Sequence, residues 1–381
     1  MVTVSESWSD TLAGGLVLQP SEPLAEPFRR AVGDAAAAFL DAQGPALAAM
    51  GPELAPLSRL AAELLRGGKR LRPAFCVWGY VAAAGLPAAD VLPPLLRAAA
   101  SLDLLHVSAL VHDDVMDGSD LRRGAPAAHR QFEARHTAEG WLGDAPAFGR
   151  AGAILLGDLL LMWSVELLQR SGLAADALAC ATPLAEAMRT EVTCGQYLDI
   201  IAQAQPLGAD VQVALEEAER VVEYKSARYT VQRPAQLGAA LGGGDERLQA
   251  ALAGYGSPLG RAFQFRDDVL GVFGDSAVTG KPTGDDLREG KRTVLVAHAH
   301  AAAGPAGRAL LERRLGDPGL DPAGVAQLQA VIVESGALDA VEVMIEDGHA
   351  RALAALSGAE LSDEGRAGLT ALAAAAVRRT S

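Results

Sequence analysis

The chain has 381 residues, half of them hydrophobic but only 4% aromatic, and its apolar excess in Ala, Leu and Val suits close helix packing better than a sandwich of sheets. A formal net charge of −14 excludes a nucleic-acid binder that relies on a broad basic surface, so any local basic cluster stands out against the background. Cys76, Cys180 and Cys194 lie far apart, are odd in number and have no CxxC spacing, which excludes a disulfide framework and fits a reducing cytoplasm.

From Met1 to about Pro23, with Glu6 and Asp10, no basic segment leads into an apolar core, so residues 1–23 read as a loose arm and not as a signal peptide. Beyond it, apolar residues recur at three-to-four spacing over 24–49, 89–117, 149–171, 174–203, 209–230, 246–273, 287–303, 322–336 and 338–377, which predicts helices there. Breaks fall at Gly67-Gly68, Gly118, Gly124 to Pro126, Pro206, Gly242 to Gly244 and Gly280 to Gly284. Charge, Gly or Pro interrupts every apolar stretch before the roughly 18 residues of a membrane span, which predicts a soluble chain without a transmembrane segment. No repeat and no shift of composition divides the sequence, so 24–381 reads as one all-α domain, a single large helical bundle.

Two acidic clusters interrupt otherwise apolar helices. In Val111-His112-Asp113-Asp114-Val115-Met116-Asp117, the carboxylates of Asp113 and Asp117 share one helix face a turn apart, where their repulsion favours a bound divalent cation. Oxygen-only ligands select Mg²⁺ over zinc. The second cluster, Phe263-Gln264-Phe265-Arg266-Asp267-Asp268-Val269-Leu270-Gly271, lies far downstream. Two such helices facing one another suit Mg²⁺ ions held against a diphosphate leaving group. Basic residues beside glycines, in Gly67 to Pro73, Arg122-Arg123-Gly124 and Gly280-Lys281-Pro282, allow backbone and cation to approach a phosphate closely. Each motif alone also reads as an ordinary solvated helix end or surface turn. Their joint occurrence argues for a site.

In the order GGKRLRP, HDDVMD followed by DLRRGAP, GQYLDI, YKSARYT, FQFRDDVLGVFGD and GKPTGDDLREGKR, the sequence resembles the trans-type polyprenyl synthetase family over roughly residues 25 to 350, with its nearest likeness to bacterial geranylgeranyl diphosphate synthases. The resemblance implies a mostly antiparallel bundle and a homodimer. It implies Mg²⁺-dependent condensation of isopentenyl diphosphate with an allylic diphosphate. Asp113 and Asp117 then take the main Mg²⁺ roles with Asp114 in support, and Asp267 closes the metal site from the opposite helix. Arg122, Lys225 and Lys281 match residues that grip the allylic diphosphate, whereas Lys69, Arg72, His106 and Arg123 match those that grip isopentenyl diphosphate. Ser226 and Gln264 match polar positions at the reacting centre, and Lys291 matches a basic residue of a lid-like segment.

The second motif departs from the family pattern by carrying Gly271 where a third aspartate often stands, with Asp285 and Asp286 as candidates to compensate. By the same resemblance the product grows toward the N-terminal end of the Asp113 helix, past Ala109, Ser108 and Leu105. These lie roughly 6, 7.5 and 12 Å upstream at about 1.5 Å per residue. Small Ala109 and Ser108 with Leu105 as the stop predict a product of about twenty carbons, a farnesyl or longer polyprenyl product being the alternative. A terpene cyclase lacks the GGKRLRP element, a non-catalytic partner subunit would lose its acidic clusters, and a di-metal carboxylate bundle would rest on Glu133 with His136 and Glu346 with His349.

Overall fold

In the computed structural model, which describes residues 15–205, 211–274 and 283–378, the chain is built almost entirely of helices. The first four long ones are α1 (Glu26–Met50), α2 (Ala55–Leu65), α3 (Leu71–Ala84) and α4 (Leu92–Met116). A two-strand hairpin, β1 (Leu121–Arg122) with β2 (Ala125–Pro126), leads to α5 (Ala128–Ala138), α6 (Ala145–Gln169) and α7 (Ala175–Ala204). Next come α8 (Val211–Val221), a π-helical stretch Val222–Gln232, α9 (Arg233–Leu241) and α10 (Glu246–Phe273). The chain continues through α11 (Asp285–Glu289), α12 (Val294–Ala302), α13 (Pro305–Arg314), α14 (Pro322–Glu334), α15 (Ala337–Ser357) and α16 (Asp363–Val377).

The all-α expectation holds, with corrections in four places. Helices α2, α3, α5 and α13 escape the periodicity reading. In α3, apolar or small residues from Pro73 to Ala82 are buried around most of the circumference, which erases the polar face on which such a reading depends. The segment expected as one helix over 209–230 changes to π winding and runs on through α9. The segment 287–303 breaks at Gly290, which has φ 75°. The segment 338–377 breaks after Ser357, and Ser362 starts α16 by accepting a hydrogen bond from the Gly365 amide. In the described part of the N-terminal arm Leu18 and Pro23 are buried.

Packing of small residues sets the site. α3 and α9 cross so closely that a Cβ on Gly79 would strike the Ala235 backbone. The π-helical stretch is clasped on two sides, since Gly195 of α7 lies against the Tyr224–Lys225 backbone and Gly260 of α10 against Ala227. Only glycine permits either approach. α4 packs along α6, where His112 covers Gly157 and the Ser108 hydroxyl donates to the Gly157 carbonyl. The stretch 132–148 joins α5 to α6 by a ring cluster of His136, Trp141 and Phe148, with centroids 5.1 to 6.1 Å apart.

By length and composition α4 and α6 are apolar enough to cross a membrane. This corrects the expectation that no stretch qualifies. The apolar window of α4 is 78% buried within the fold and that of α6 44%, so α4 is a core helix, whereas α6 leaves much of its apolar surface uncovered.

Candidate active site

A cavity of about 780 Å³ opens between α4, the π-helical stretch, α10 and the α11 segment. The lining face of α4 carries Asp103, His106, Val107, Leu110 and Asp113, the three-to-four spacing of one helix face. Of the predicted residues, Lys69, Arg72, His106, Asp113, Arg122, Arg123, Lys225, Ser226, Gln264, Asp267 and Lys291 all line this cavity. Asp117 is not among the lining residues, though its carboxylate lies 3.9 Å from the lining Lys291, and Lys281 lies outside the described residues.

The cationic end is built from loop and hairpin. Arg122 ends β1 and Arg123 opens the β1–β2 turn, where Arg123 and Gly124 both have positive φ, 53° and 77°, the backbone of a tight two-residue hairpin. Arg123 donates to the Arg66 carbonyl at 3.4 Å. Arg72 donates to the Thr230 hydroxyl at 2.8 Å and lies over the Tyr229 ring, 4.2 Å from its centroid. The Tyr229 hydroxyl is 3.4 Å from His106 Nδ1. Burial, reinforced by Arg72 and Arg123, holds His106 well below its usual range, so it meets a ligand as a neutral hydrogen-bonding group. Arg70, on the same wall, is committed to the protein itself, donating to Asp103 at 2.7 Å and to the Leu65 carbonyl at 2.6 Å.

The acidic end carries its own counter-ions. Lys225 reaches Asp199 at 2.6 Å and Asp113 at 3.1 Å, and Gln196 donates to the same Asp113 oxygen at 3.0 Å. Burial pushes Asp113 up, but Lys225, Lys291 and Arg122 outweigh it and hold the carboxyl below its usual value. Asp117 moves the other way, raised by burial and by the charge of Asp113. Lys291 lies 2.6 Å from Glu289, 3.3 Å from Asp286 and 3.9 Å from Asp117. On α10, Gln264 donates to Asp268 Oδ1 at 2.8 Å, and Asp268 Oδ2 is buried without a hydrogen-bond partner. Burial pushes Asp268 up to about 8.

Other predicted residues lie off this lining. Asp114, expected in support of Asp113 and Asp117, is 2% exposed, does not line the cavity and accepts from Arg122 Nε at 2.9 Å. None of Leu105, Ser108 and Ala109 lines the cavity. Ser108 points at α6, because five residues rotate a helix by about 140° relative to Asp113, and axial rise alone ignores this rotation. Leu105 and Ala109 stay on the i, i+4, i+8 row that ends at Asp113. Sequence reasoning gives Gln196 and Asp199 of GQYLDI no roles; their three-residue spacing on one helix face is the signal that could have found them. Tyr229 and Thr230 of YKSARYT are likewise missed. The di-metal alternative finds no support, since His136 Nε2 pairs with the Leu142 carbonyl and Glu133 with Arg130.

A helical bundle whose cavity sets guanidinium groups against facing aspartates defines an isoprenoid synthase-type protein. A family profile described as Polyprenyl synthetase matches residues 55–332, and the chain belongs to that family. It is similar to a Corynebacterium glutamicum structure described as geranylgeranyl pyrophosphate synthase complexed with isoprenyl diphosphate and magnesium. The two share 41% identity at a TM-score of 0.88, covering 96% of this chain and 100% of that one. The geranylfarnesyl diphosphate synthase of Aeropyrum pernix is 32% identical over 75% of this chain and 82% of its own length. The geranylgeranyl diphosphate synthase of Methanosarcina mazei is 37% identical over 61% and 64%.

Proposed function

We propose that this prenyltransferase condenses isopentenyl diphosphate with an allylic diphosphate and releases a product of about twenty carbons, geranylgeranyl diphosphate. The observation that carries the reading is one cavity with cationic groups at one end and two aspartate-bearing helices at the other. Lys69, Arg72, Arg123 and neutral His106 would hold isopentenyl diphosphate, and Arg122 and Lys225 the allylic diphosphate.

Asp113, Asp117 and Asp267 would hold Mg²⁺, and the buried, unpartnered Asp268 Oδ2 beside them fits a site that expects a cation. Bound there, Mg²⁺ supplies charge neutralisation for the departing diphosphate. This chain's residues do the rest. Lys225 and Arg122 stabilise the same developing charge, while Ser226 and Gln264 flank the space where the carbon chains meet. Val107, Leu110, Val222 and Phe263 supply apolar wall that keeps water from an allylic cation.

Names among the relatives run from farnesyl through geranylgeranyl to geranylfarnesyl diphosphate synthase, so the family alone does not set the length. Small Ala109 above Leu105, on the Asp113 row of α4 though off the cavity lining, is the feature that favours about twenty carbons. Phe148, Leu155 and Met162 stand seven apart on α6 and are 38%, 64% and 60% exposed; this apolar face supports a homodimer. The described cysteines are unpaired, which supports a cytoplasmic location.

The test incubates the purified chain with Mg²⁺, isopentenyl diphosphate and, separately, allylic diphosphates of five, ten and fifteen carbons, and identifies the dephosphorylated products by mass. A twenty-carbon alcohol is expected. No condensation with any primer would overturn the reading.

A further inference from the structure

The second aspartate-rich helix lacks its third carboxylate, yet the space is filled. A Cβ built on Gly271 would overlap the Asp286 carboxylate, with Asp286 Cγ 2.6 Å away. Asp286 thus reaches from α11 into the volume that a longer residue at 271 would claim on α10. It lines the same cavity as Asp267 and Asp268. Its side chain is 13% exposed and its Oδ1 lies 3.3 Å from Lys291 Nζ. The neighbouring Asp268 is 4% exposed and leaves Oδ2 without a partner.

The α11 segment that delivers this carboxylate is short and is held to residues 316–320 and to Ser119. Leu287 is buried and its carbonyl accepts from Gly316, and the Ser119 hydroxyl donates to Glu289. Among the described residues no three Asp, Glu, His or Cys side chains are already gathered tightly enough to hold a cation. Completing the set therefore requires movement or help from ligand oxygens. The mobile partner is more readily a short segment between Gly284 and Gly290, both at φ 75°, than the long packed helices α4 and α10.

We propose that Asp286 is the missing carboxylate of the α10 metal site, supplied from the α11 segment, so that cation binding and closure of residues 284–291 are one linked step. A helix-borne aspartate at 271 would bind without that linkage. A carboxylate carried by a loop makes the cation draw the loop shut, and a shut loop tightens the cation, by reciprocal coupling. Lys291, which pairs with Asp286 and approaches Asp117, moves on the same segment and is withdrawn from or brought to the diphosphate with it.

This inference rests on the prenyl diphosphate synthase reading, and the experiment separates the two. Mg²⁺-dependent binding of inorganic diphosphate is measured by calorimetry on the full chain, and hydrogen exchange of residues 284–291 is followed in the same titration. Asp286→Asn is expected to raise the Mg²⁺ midpoint about tenfold and to abolish protection of the segment. Gly271→Ala removes no carboxylate and favours helix, so it folds; by displacing Asp286 it shifts the midpoint in the same direction. Gly271→Asp with Asp286→Ala restores the midpoint to within about threefold but not the protection. Unshifted midpoints in both single variants, with a wild-type chain that condenses its substrates, would overturn this inference alone. A wild-type chain that neither condenses substrates nor binds diphosphate with Mg²⁺ would overturn the functional reading and this inference with it.

Discussion

Lys225 Nζ lies 3.1 Å from Asp113 Oδ1 and 2.6 Å from Asp199 Oδ2, so the π-helical stretch brings a cation onto the first carboxylate of the α4 acidic cluster before any ligand arrives. Burial opposes the charge of Lys225, but Asp113 and Asp199 more than compensate and raise its pKa. On the proposed reading the ammonium is thereby fixed where charge would develop on the departing diphosphate. Lys225→Met is expected to lower kcat/KM by about 10²–10³, the usual loss on removing one aimed charge, while Lys225→Arg recovers part of it. Steady-state kinetics decide this. A Met variant within threefold of wild type would remove Lys225 from the mechanism.

Asp268 makes stability depend on pH. Its carboxyl rises from 3.8 unfolded to about 8 folded, so the folded chain holds a proton that the unfolded chain releases. Stability from this group is complete below about pH 4, declines as pH rises and is lost above about pH 8. Asp268→Asn keeps the shape without the charge. It is expected to flatten the fall in Tm between pH 5 and 8 in the absence of Mg²⁺, and to raise stability at neutral pH by on the order of a few kcal/mol. Parallel slopes for both proteins would show that Asp268 is ionised in the fold.

Arg70 and Asp103 test the scaffold under the cationic end. Their side chains are 9% and 7% exposed and meet at 2.7 Å, and burial pushes the Asp103 pKa up even with Arg70 beside it. Arg70→Met leaves Asp103 buried and uncompensated, which costs about 3–5 kcal/mol. The double variant with Asp103→Leu removes both charges and recovers most of that loss. Urea unfolding of the four proteins closes the cycle; equal losses in single and double variants would show that packing and not charge is at stake.

The clusters around Asp113 and Asp267 were legible because polarity inside an apolar helix is conspicuous, and ordered motifs placed the cations around them. What the sequence concealed was orientation. Asp114 sits beside Asp113 in the chain yet turns to Arg122, and Ser108 turns to the Gly157 carbonyl, because adjacent helical positions differ by about 100°. The π-wound Val222–Gln232 is approached closely by Gly195 and Gly260, contacts between distant segments that no local pattern encodes. Helix α3 was hidden for the opposite reason, since burial on most sides leaves no alternation to read.

The apolar row on α6 predicts the oligomeric state. Glutamates at Leu155 and Met162, which are 64% and 60% exposed, cost nothing in a monomer but place charge in the centre of a dimer contact. Leu155→Glu with Met162→Glu is expected to shift the molecular mass from dimer to monomer in sedimentation or light scattering, with the helical circular dichroism unchanged. A wild-type monomer would overturn the dimer, and a dimer that survives both glutamates would move the interface elsewhere.

Product length tests the row Leu105, Ala109, Asp113. On the proposed path, which lies beyond the described cavity, a chain anchored at Asp113 that grows toward the start of α4 would pass Ala109 and next meet Leu105, which is 5% exposed. Leu105→Ala opens volume one turn further down and is expected to lengthen the main product by at least one five-carbon unit, with a loss of about 2–5 kcal/mol in stability. Ala109→Phe closes the path nearer the diphosphate and is expected to shorten it to about fifteen carbons, since an aromatic ring spans about one helical turn. Ser108→Ala is expected to leave length unchanged, because its hydroxyl is committed to Gly157 and its side chain faces α6. Product masses from the three variants under identical substrate ratios settle the wall: if Ser108→Ala changes the length and Leu105→Ala does not, the growing chain runs on the α6 side of α4.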